Sequence, residues 1–118
     1  MASILFIEDE EELRGLIGES LADNGHEVAI AAQGREAIQL LANGIYDVVI
    51  SDVSMPGELS GVDLAELIEE HYPQTRVILV SGHARAQLPP LPTSARFLPK
   101  PYRLSQLLAL LPDAPKAQ

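Results

Sequence analysis

Polar side chains that could carry chemistry follow four of the five short apolar runs in the sequence. Carboxylates follow the first and third runs, a hydroxyl follows the fourth, and an ammonium group follows the fifth. Three carboxylates brought together would repel one another, and a bound cation would relieve that repulsion. Hard oxygen ligands suit Mg²⁺, which often shares its site with a phosphate. The residues concerned are Glu8, Asp9, Asp52, Ser81 and Lys100.

Phosphoryl transfer to a carboxylate is the chemistry that this set of side chains predicts. A carboxylate can itself accept a phosphoryl group and form an aspartyl phosphate. Lys100 and Ser81 would supply hydrogen-bond donors to the phosphoryl oxygens. Few further groups are needed, because in-line transfer depends on positioning and charge neutralisation more than on acid–base groups.

Each of these residues taken alone also has an ordinary structural explanation. Glu8 and the acidic residues after it would complement the dipole at a helix start, and Asp52 would suit a turn. Lys100 would be at home in a solvated loop, and Ser81-Gly82 is a common turn dipeptide. Their shared position after strands is what favours a common site.

The apolar runs have the pattern of strands in a parallel sheet. The first, third and fourth runs are apolar at successive positions, which is typical of strands buried on both faces. Ligands of open α/β sheets bind beyond the carboxyl ends of the strands, so we expect the polar residues to meet at one edge. The predicted strands are residues 4–7, 28–31, 48–50, 77–80 and 96–98.

Leucine, isoleucine and alanine at helical spacing separate these strands. Strand–helix alternation of this kind implies a parallel sheet with right-handed crossovers. Gly25, Gly44, Pro73 and Pro112 follow the four helical patterns and predict where the helices end. The spaced residues are Leu13, Leu16, Ile17 and Leu21; Ala37, Ile38 and Leu41; Leu64, Leu67 and Ile68; and Leu104, Leu107, Leu108 and Leu111.

The stretch between the fourth and fifth strands breaks this alternation. Pro89, Pro90 and Pro92 cannot continue a helix, because proline has no N–H and clashes with the preceding turn. The helix expected here is therefore lost or reduced to about one turn around residues 84–88. We expect residues 83–94 to be mobile in the free protein, because few backbone hydrogen bonds hold such a segment.

Length and composition set the broad class. The 118 residues suit one domain, which we place at residues 1–112, with residues 113–118 as a flexible tail. Eight basic and seventeen acidic residues give a net charge of −9, which disfavours direct binding to nucleic acids and to anionic membranes.

Several classes of protein are excluded or disfavoured by the sequence. The absence of cysteine excludes disulfides and zinc–thiolate sites. The N-terminus does not have the pattern of a signal peptide, and no apolar run approaches the ~20 residues that span a bilayer. We therefore expect a cytoplasmic protein.

The chemistry-bearing residues together resemble the receiver domains of two-component response regulators, of the chemotaxis-regulator type. The resemblance covers essentially the whole chain, and its motifs occur in the family's order and spacing. It implies a five-stranded, doubly wound sheet in the order 2-1-3-4-5. The motifs are Glu8-Asp9, Asp52-Val53-Ser54-Met55-Pro56-Gly57, Val80-Ser81-Gly82 and Lys100-Pro101.

The resemblance also implies roles for individual residues. Asp52 would be phosphorylated by a histidine kinase or a histidine phosphotransfer protein. Mg²⁺ would be held by Asp9, Asp52 and the backbone carbonyl of Ser54, with Glu8 acting directly or through water. Lys100 and Ser81 would contact the phosphoryl group, and Phe97 would be the switch aromatic that responds with Ser81.

Three departures from the family's usual pattern stand out. The loop from Asp52 to Gly61 is one residue longer than the commonest form. Ser54 and His83 stand at positions that tune the lifetime of the phosphoryl group, and neither is the residue usually found there. The third departure is the proline-rich stretch, which replaces much of the family's usual output face.

Two other functions remain open on the sequence alone. The chain could be a pseudo-receiver, an interaction module that keeps the fold without using phosphate. It could instead be a small aspartyl-phosphate phosphotransferase or phosphatase, although we expect no enzymatic turnover because no separate substrate pocket is evident. His26, His71 and His83 show no metal-ligand spacing, and the oligomeric state is not indicated by the sequence.

Overall fold

A parallel five-stranded sheet forms the centre of the fold in the computed structural model, which describes residues 2–55, 57–83 and 87–111. The strand order is β2-β1-β3-β4-β5, and all four neighbouring pairs are parallel. This is the order that the resemblance implied. The strands are β1 (Ser3–Ile7), β2 (Glu27–Ala31), β3 (Val48–Asp52), β4 (Arg76–Ser81) and β5 (Arg96–Pro99).

Helices cover both faces of this sheet. Leu21 and Leu107, from the first and last helices, belong to one apolar cluster, while Ala37 and Ile68, from the middle two, belong to another. The sheet is therefore doubly wound, as predicted. Among the described residues the helices are α1 (Glu11–Asp23), α2 (Gly34–Asn43), α3 (Gly61–His71) and α4 (Leu104–Ala109).

The central strands are buried on both faces, as their continuous apolar runs predicted. Successive residues of β1 alternate between the two clusters. Ile4 and Phe6 lie in the cluster that includes residues of α1 and α4, which we call the α1/α4 cluster. Leu5 and Ile7 lie in the one that includes residues of α2 and α3, which we call the α2/α3 cluster. All four are at most 1% exposed. Burial of this kind stabilises the fold by about 1.5–3 kcal/mol for each large apolar side chain.

The helices follow local rules, with two differences from expectation. Gly25 takes a φ of +92° just after α1, the left-handed conformation that suits a glycine at a helix end. The last helix ends at Ala109, earlier than Pro112 predicted, although Leu111 beyond it is still buried. Leu16 shares the apolar spacing of α1, yet it is 62% exposed because it lies outside the face that packs on the sheet.

No α-helix occurs between β4 and β5 in the described residues, which agrees with the proline count. Gln87 lies in a short 3₁₀ turn, and residues 88–95 are irregular, while residues 84–86 lie outside the described part of the chain. Leu88 and Leu91 pack against the α2/α3 cluster. These two leucines provide apolar cover where a helix would otherwise lie, and the mobility of the segment stays a prediction.

Two further expectations concern the C-terminal tail and membrane spans. The tail expected at residues 113–118 lies outside them. Within the described ranges, no helix has the length and apolar character needed to cross a membrane.

Gly61 provides a test of how tightly α3 is joined to β3. A Cβ at Gly61 would overlap the backbone carbonyl oxygen of Asp52 and lie 2.9 Å from the Cα of Val53. Backbone atoms cannot rotate away, so Gly61→Ala should displace the end of β3 and lower the free energy of unfolding by about 1–3 kcal/mol. Urea unfolding measures this.

Gly15→Ala in α1 is the matched control, because a Cβ there would meet no described atom within 4 Å. Its midpoint should stay the same or rise, since alanine favours helix by up to about 1 kcal/mol over glycine. Equal urea midpoints for the two variants would contradict the predicted overlap.

Candidate functional site

Three carboxylates meet at the carboxyl edge of the sheet, as the sequence predicted. Glu8 and Asp9 directly follow β1, and Asp52 ends the neighbouring strand β3. One carboxylate oxygen from each of the three lies within 4.8 Å of the others. The parallel arrangement brings the acids together because it carries both strand ends to the same edge.

Two of these carboxylates are buried. Glu8 is 3% exposed and Asp52 is 6% exposed, whereas Asp9 is exposed. Removing a carboxylate from water is costly unless hydrogen bonds or an opposite charge compensate. The site therefore needs positive charge next to Glu8 and Asp52.

Lys100 supplies that positive charge. Its Nζ lies 2.8 Å from Oδ1 of Asp52 and 3.5 Å from Oε1 of Glu8. The lysine follows β5 directly, and its backbone N–H donates to the carbonyl of Ser81 at 2.8 Å, which fixes where the side chain begins. Burial lowers the pKa of Lys100, but the hydrogen bond to Asp52 and the charges of Asp52 and Glu8 outweigh it, so the net pKa is raised.

Glu8 has an unusually high proton affinity. Its pKa is raised to about 7, chiefly by burial and also by the charge of Asp52, against the lowering effects of the Glu10 N–H and of Lys100. Repulsion between crowded carboxylates, which the sequence predicts, would raise at least one carboxyl pKa, and the pKa of Glu8 is raised. The main cause is different from the expected one, because burial contributes more than repulsion between carboxylates.

Ser81 and Phe97 lie on neighbouring strands at the same end of the sheet. Ser81 ends β4, is 4% exposed and accepts a hydrogen bond from the backbone N–H of His83 at 3.0 Å. Asp52 pairs in register with Val80, one residue before Ser81. Phe97 pairs with Leu79 and is half-buried against the α2/α3 cluster.

The metal-ligand role of Ser54 stays a prediction. The residue lies in the loop after Asp52 and is exposed. Its position two residues beyond Asp52 keeps its backbone close to the carboxylate cluster.

Three residues near the site were missed from the sequence. Arg14 donates from Nη1 to the backbone carbonyl of Glu8 at 2.9 Å, which places a second cation beside the acids. Ser51 donates from Oγ to the Asp52 carbonyl at 2.9 Å. The buried hydroxyl of Tyr102 has no hydrogen-bond partner among the described residues; burial raises its pKa, and the charge of nearby Lys100 lowers it.

The donor set fits Mg²⁺. The three carboxylates offer hard oxygen atoms within 4.8 Å of one another, which is the ligand type that Mg²⁺ prefers. The cluster includes neither histidine nor thiol among its described members, so it does not have the nitrogen and sulfur ligands that suit zinc. A divalent cation would also compensate the charge of ionised Glu8.

The raised pKa of Glu8 predicts a specific pH dependence of stability. Below about pH 4.5 Glu8 is protonated in both folded and unfolded protein, and between 4.5 and about 7 the folded state binds more protons. Stability of the metal-free protein should therefore fall as pH rises through this window. Glu8→Gln removes the titrating group and should flatten this part of the profile, which urea unfolding at pH 5 and pH 8 measures.

Every other side chain is the same in both proteins, so the difference between wild type and variant isolates Glu8. We expect Glu8→Gln to gain stability relative to wild type on going from pH 5 to pH 8. Parallel pH profiles for the two proteins would contradict the assignment.

Known proteins resemble this chain in sequence and in fold. The sensor kinase CckA of Brucella abortus (strain 2308) is 39% identical over 111 residues, covering 90% of this chain and 12% of CckA. The response regulator TrrA of Thermotoga maritima, solved in complex with Mg(2+)-BeF, gives a TM-score of 0.79 at 32% identity, covering 91% of this chain and 93% of TrrA. TrrA in complex with the histidine kinase ThkA gives a TM-score of 0.79 at 30% identity, covering 91% and 92%.

The extent of these matches decides what they establish. The chain spans 12–44% of the lengths of the curated relatives that it matches, so the likeness concerns one domain of longer proteins. The sequence model for the response regulator receiver domain matches residues 4–111, which is nearly the whole chain. Together with the strand order and the acidic edge, this match shows that the chain belongs to the response regulator receiver domains of two-component systems.

Proposed function

We propose that Asp52 accepts a phosphoryl group from a phosphohistidine on a histidine kinase or a histidine phosphotransfer protein, and that the domain then changes conformation to signal. The observation that carries this proposal is the pairing of a buried carboxylate with Lys100 at 2.8 Å, next to two further carboxylates. The solved complexes of TrrA with Mg(2+)-BeF and with ThkA support it by similarity.

The transfer itself needs few protein groups. An Oδ atom of Asp52 attacks phosphorus, the new P–O bond forms, and the P–N bond to the imidazole breaks, with its electron pair leaving on nitrogen. The Lys100 ammonium stays close to the attacking carboxylate and offers hydrogen bonds to the phosphoryl oxygens. Catalysis of this kind rests on positioning and charge neutralisation.

Mg²⁺ is the cofactor in this proposal. Asp9, Asp52 and the Ser54 carbonyl would hold the ion, with Glu8 acting directly or through water. When bound, the ion would neutralise negative charge on the phosphoryl group. Glu8 would contribute in its ionised form. Because its pKa is about 7, metal binding would be coupled to loss of protons from Glu8 near neutral pH.

Ser81 and Phe97 would carry the conformational change. In the proposal the Ser81 hydroxyl moves toward the new phosphoryl oxygens, which are strong acceptors, and leaves the N–H of His83. Phe97 then turns further inward, because burying the ring removes apolar surface from water. Leu88 and Leu91 pack on the same cluster as Phe97, so the change would reach the proline-rich segment.

The cellular setting belongs to the proposal as well. In it the protein is cytoplasmic and contacts protein partners. The net charge of −9 disfavours direct binding to nucleic acids and anionic membranes. We propose no enzymatic turnover. A pseudo-receiver and a small phosphatase are the two alternatives that labelling distinguishes.

Acyl-phosphate labelling tests the acceptor directly. Incubation with acetyl phosphate and Mg²⁺ should add one phosphoryl group to wild type, seen by intact mass spectrometry. Asp52→Asn keeps the side-chain shape but removes the nucleophilic carboxylate, so it should show no adduct. Asp23→Asn, which changes an exposed aspartate at the end of α1, is the matched control and should label like wild type.

The other outcomes separate the alternatives. Full labelling of Asp52→Asn would move the acceptor to another residue. An unlabelled wild type would favour the pseudo-receiver, and rapid repeated turnover of acetyl phosphate would favour the phosphatase.

Hydrogen exchange tests the proposed output segment. Within residues 89–95, the N–H of Ala95 donates to the carbonyl of Pro92. The prolines of this segment have no N–H to donate. The amides of residues 88–94 should therefore exchange quickly in the free protein and slow down with a beryllofluoride mimic of the phosphoryl group. Strong protection of this segment in the free protein would show a rigid element and would contradict the proposal.

A further inference from the structure

The loop between β3 and α3, residues 53–60, lies against the first turn of α2. Gly34, the first residue of α2, is buried there. A Cβ at Gly34 would be 2.9 Å from the Cβ of Leu59 and 3.5 Å from the Cε of Met55. The Leu59 carbonyl oxygen would be 3.6 Å away. The loop approaches α2 so closely that position 34 has no space for a side chain.

Neighbouring residues bring the same two segments together. Gly57 takes a φ of +93°, and a Cβ there would lie 3.2 Å from Oε1 of Gln33. Arg35 and Glu58 form an ion pair at 3.8 Å, which is exposed and contributes little to stability. Gly57, Glu58 and Leu59 of the loop thus lie close to the start of α2.

The other end of this contact reaches the acceptor. Met55, which faces Gly34, also receives a contact from Ser51 Oγ to its Sδ at 3.3 Å. The same Ser51 hydroxyl donates to the backbone carbonyl of Asp52 at 2.9 Å. Ser54, the predicted carbonyl ligand of the metal, lies between Asp52 and Met55 in the chain. A shift of the loop away from α2 would therefore move the backbone of Ser54, next to the end of β3.

We propose that Gly34 is a positioning residue for the metal site. By having no side chain, it leaves room for Leu59 and lets Met55 pack on α2, and this contact holds the loop that carries the predicted ligand Ser54 next to Asp52. The inference rests on the proposed Mg²⁺-dependent function. It predicts that a methyl group at position 34, distant from the carboxylates in sequence, weakens Mg²⁺ binding.

Calorimetric titration with Mg²⁺ at pH 8, where Glu8 is ionised, tests the inference in the full chain. Gly34→Ala should raise the Mg²⁺ dissociation constant about fivefold or more, because the displaced loop no longer holds Ser54 at the site; fivefold corresponds to about 1 kcal/mol of binding free energy. Gly15→Ala is the matched control, because a Cβ there would meet no described atom within 4 Å. It should bind Mg²⁺ like wild type.

A second substitution separates positioning from a general loss of stability. Leu59→Gly removes the Cβ that a methyl at position 34 would strike. In the Gly34→Ala background it should restore Mg²⁺ affinity toward wild type while lowering the urea midpoint further. If the role of Gly34 were structural alone, affinity and stability would fall together, and the double variant would bind worst.

Each outcome decides the inference. Wild-type affinity in Gly34→Ala, or weaker binding in the double variant than in the single one, overturns the inference and leaves the proposed function standing. No Mg²⁺ binding by wild type overturns both. If Gly34→Ala does not fold, Met55→Ala removes the side chain that links α2 to Ser51, and unchanged Mg²⁺ affinity in that variant would also overturn the inference.

Discussion

The ammonium group of Lys100, held between the carboxylates of Asp52 and Glu8, is the interaction on which the site depends. Both acids are almost fully buried, and a buried carboxylate is stable as an anion only when an opposite charge or several hydrogen bonds accompany it. Lys100 contacts Asp52 at 2.8 Å but Glu8 only at 3.5 Å. Glu8 is thus the less compensated acid, and its raised pKa is consistent with this.

The parallel sheet is what makes this arrangement possible. Parallel strands end at a common edge, so β1, β3 and β5 deliver Glu8, Asp52 and Lys100 to one place although they are far apart in sequence. The strands can be buried on both faces because helices cover the sheet on each side. The apolar runs that predicted the strands form the buried core. The charged residues that follow these runs therefore lie together at the edge of that core.

The features of the fold and of the site that were predictable from the sequence are those that depend on local pattern. The apolar runs of β1, β3 and β4 predicted both the strands and the edge where Asp9, Asp52 and Ser81 lie. The cause of the Glu8 pKa was not predictable in the same way, because burial of one carboxylate depends on how the whole edge packs. The contacts of Arg14 and Ser51 were missed for a related reason, since side-chain reach leaves no periodic signal.

In the proline-rich segment, too, the local chemistry was predictable from the sequence and the packing was not. Pro89, Pro90 and Pro92 predicted the loss of a helix, because proline chemistry is local. The packing of Leu88 and Leu91 on the α2/α3 cluster could not be read from spacing, because an irregular chain has no fixed period. The leucines show how the described chain adds apolar packing to the α2/α3 cluster, which includes Val77 and Leu79 of β4, without a regular helix at that position.

A crystal structure with Mg²⁺ and beryllofluoride tests the central claim most directly. The account predicts a metal ion among the oxygens of Asp9 and Asp52, with Lys100 moved from its pairing with Glu8 to the fluoride atoms on Asp52. An acidic edge without metal at saturating Mg²⁺, with Lys100 still paired to Asp52 and Glu8, would contradict it.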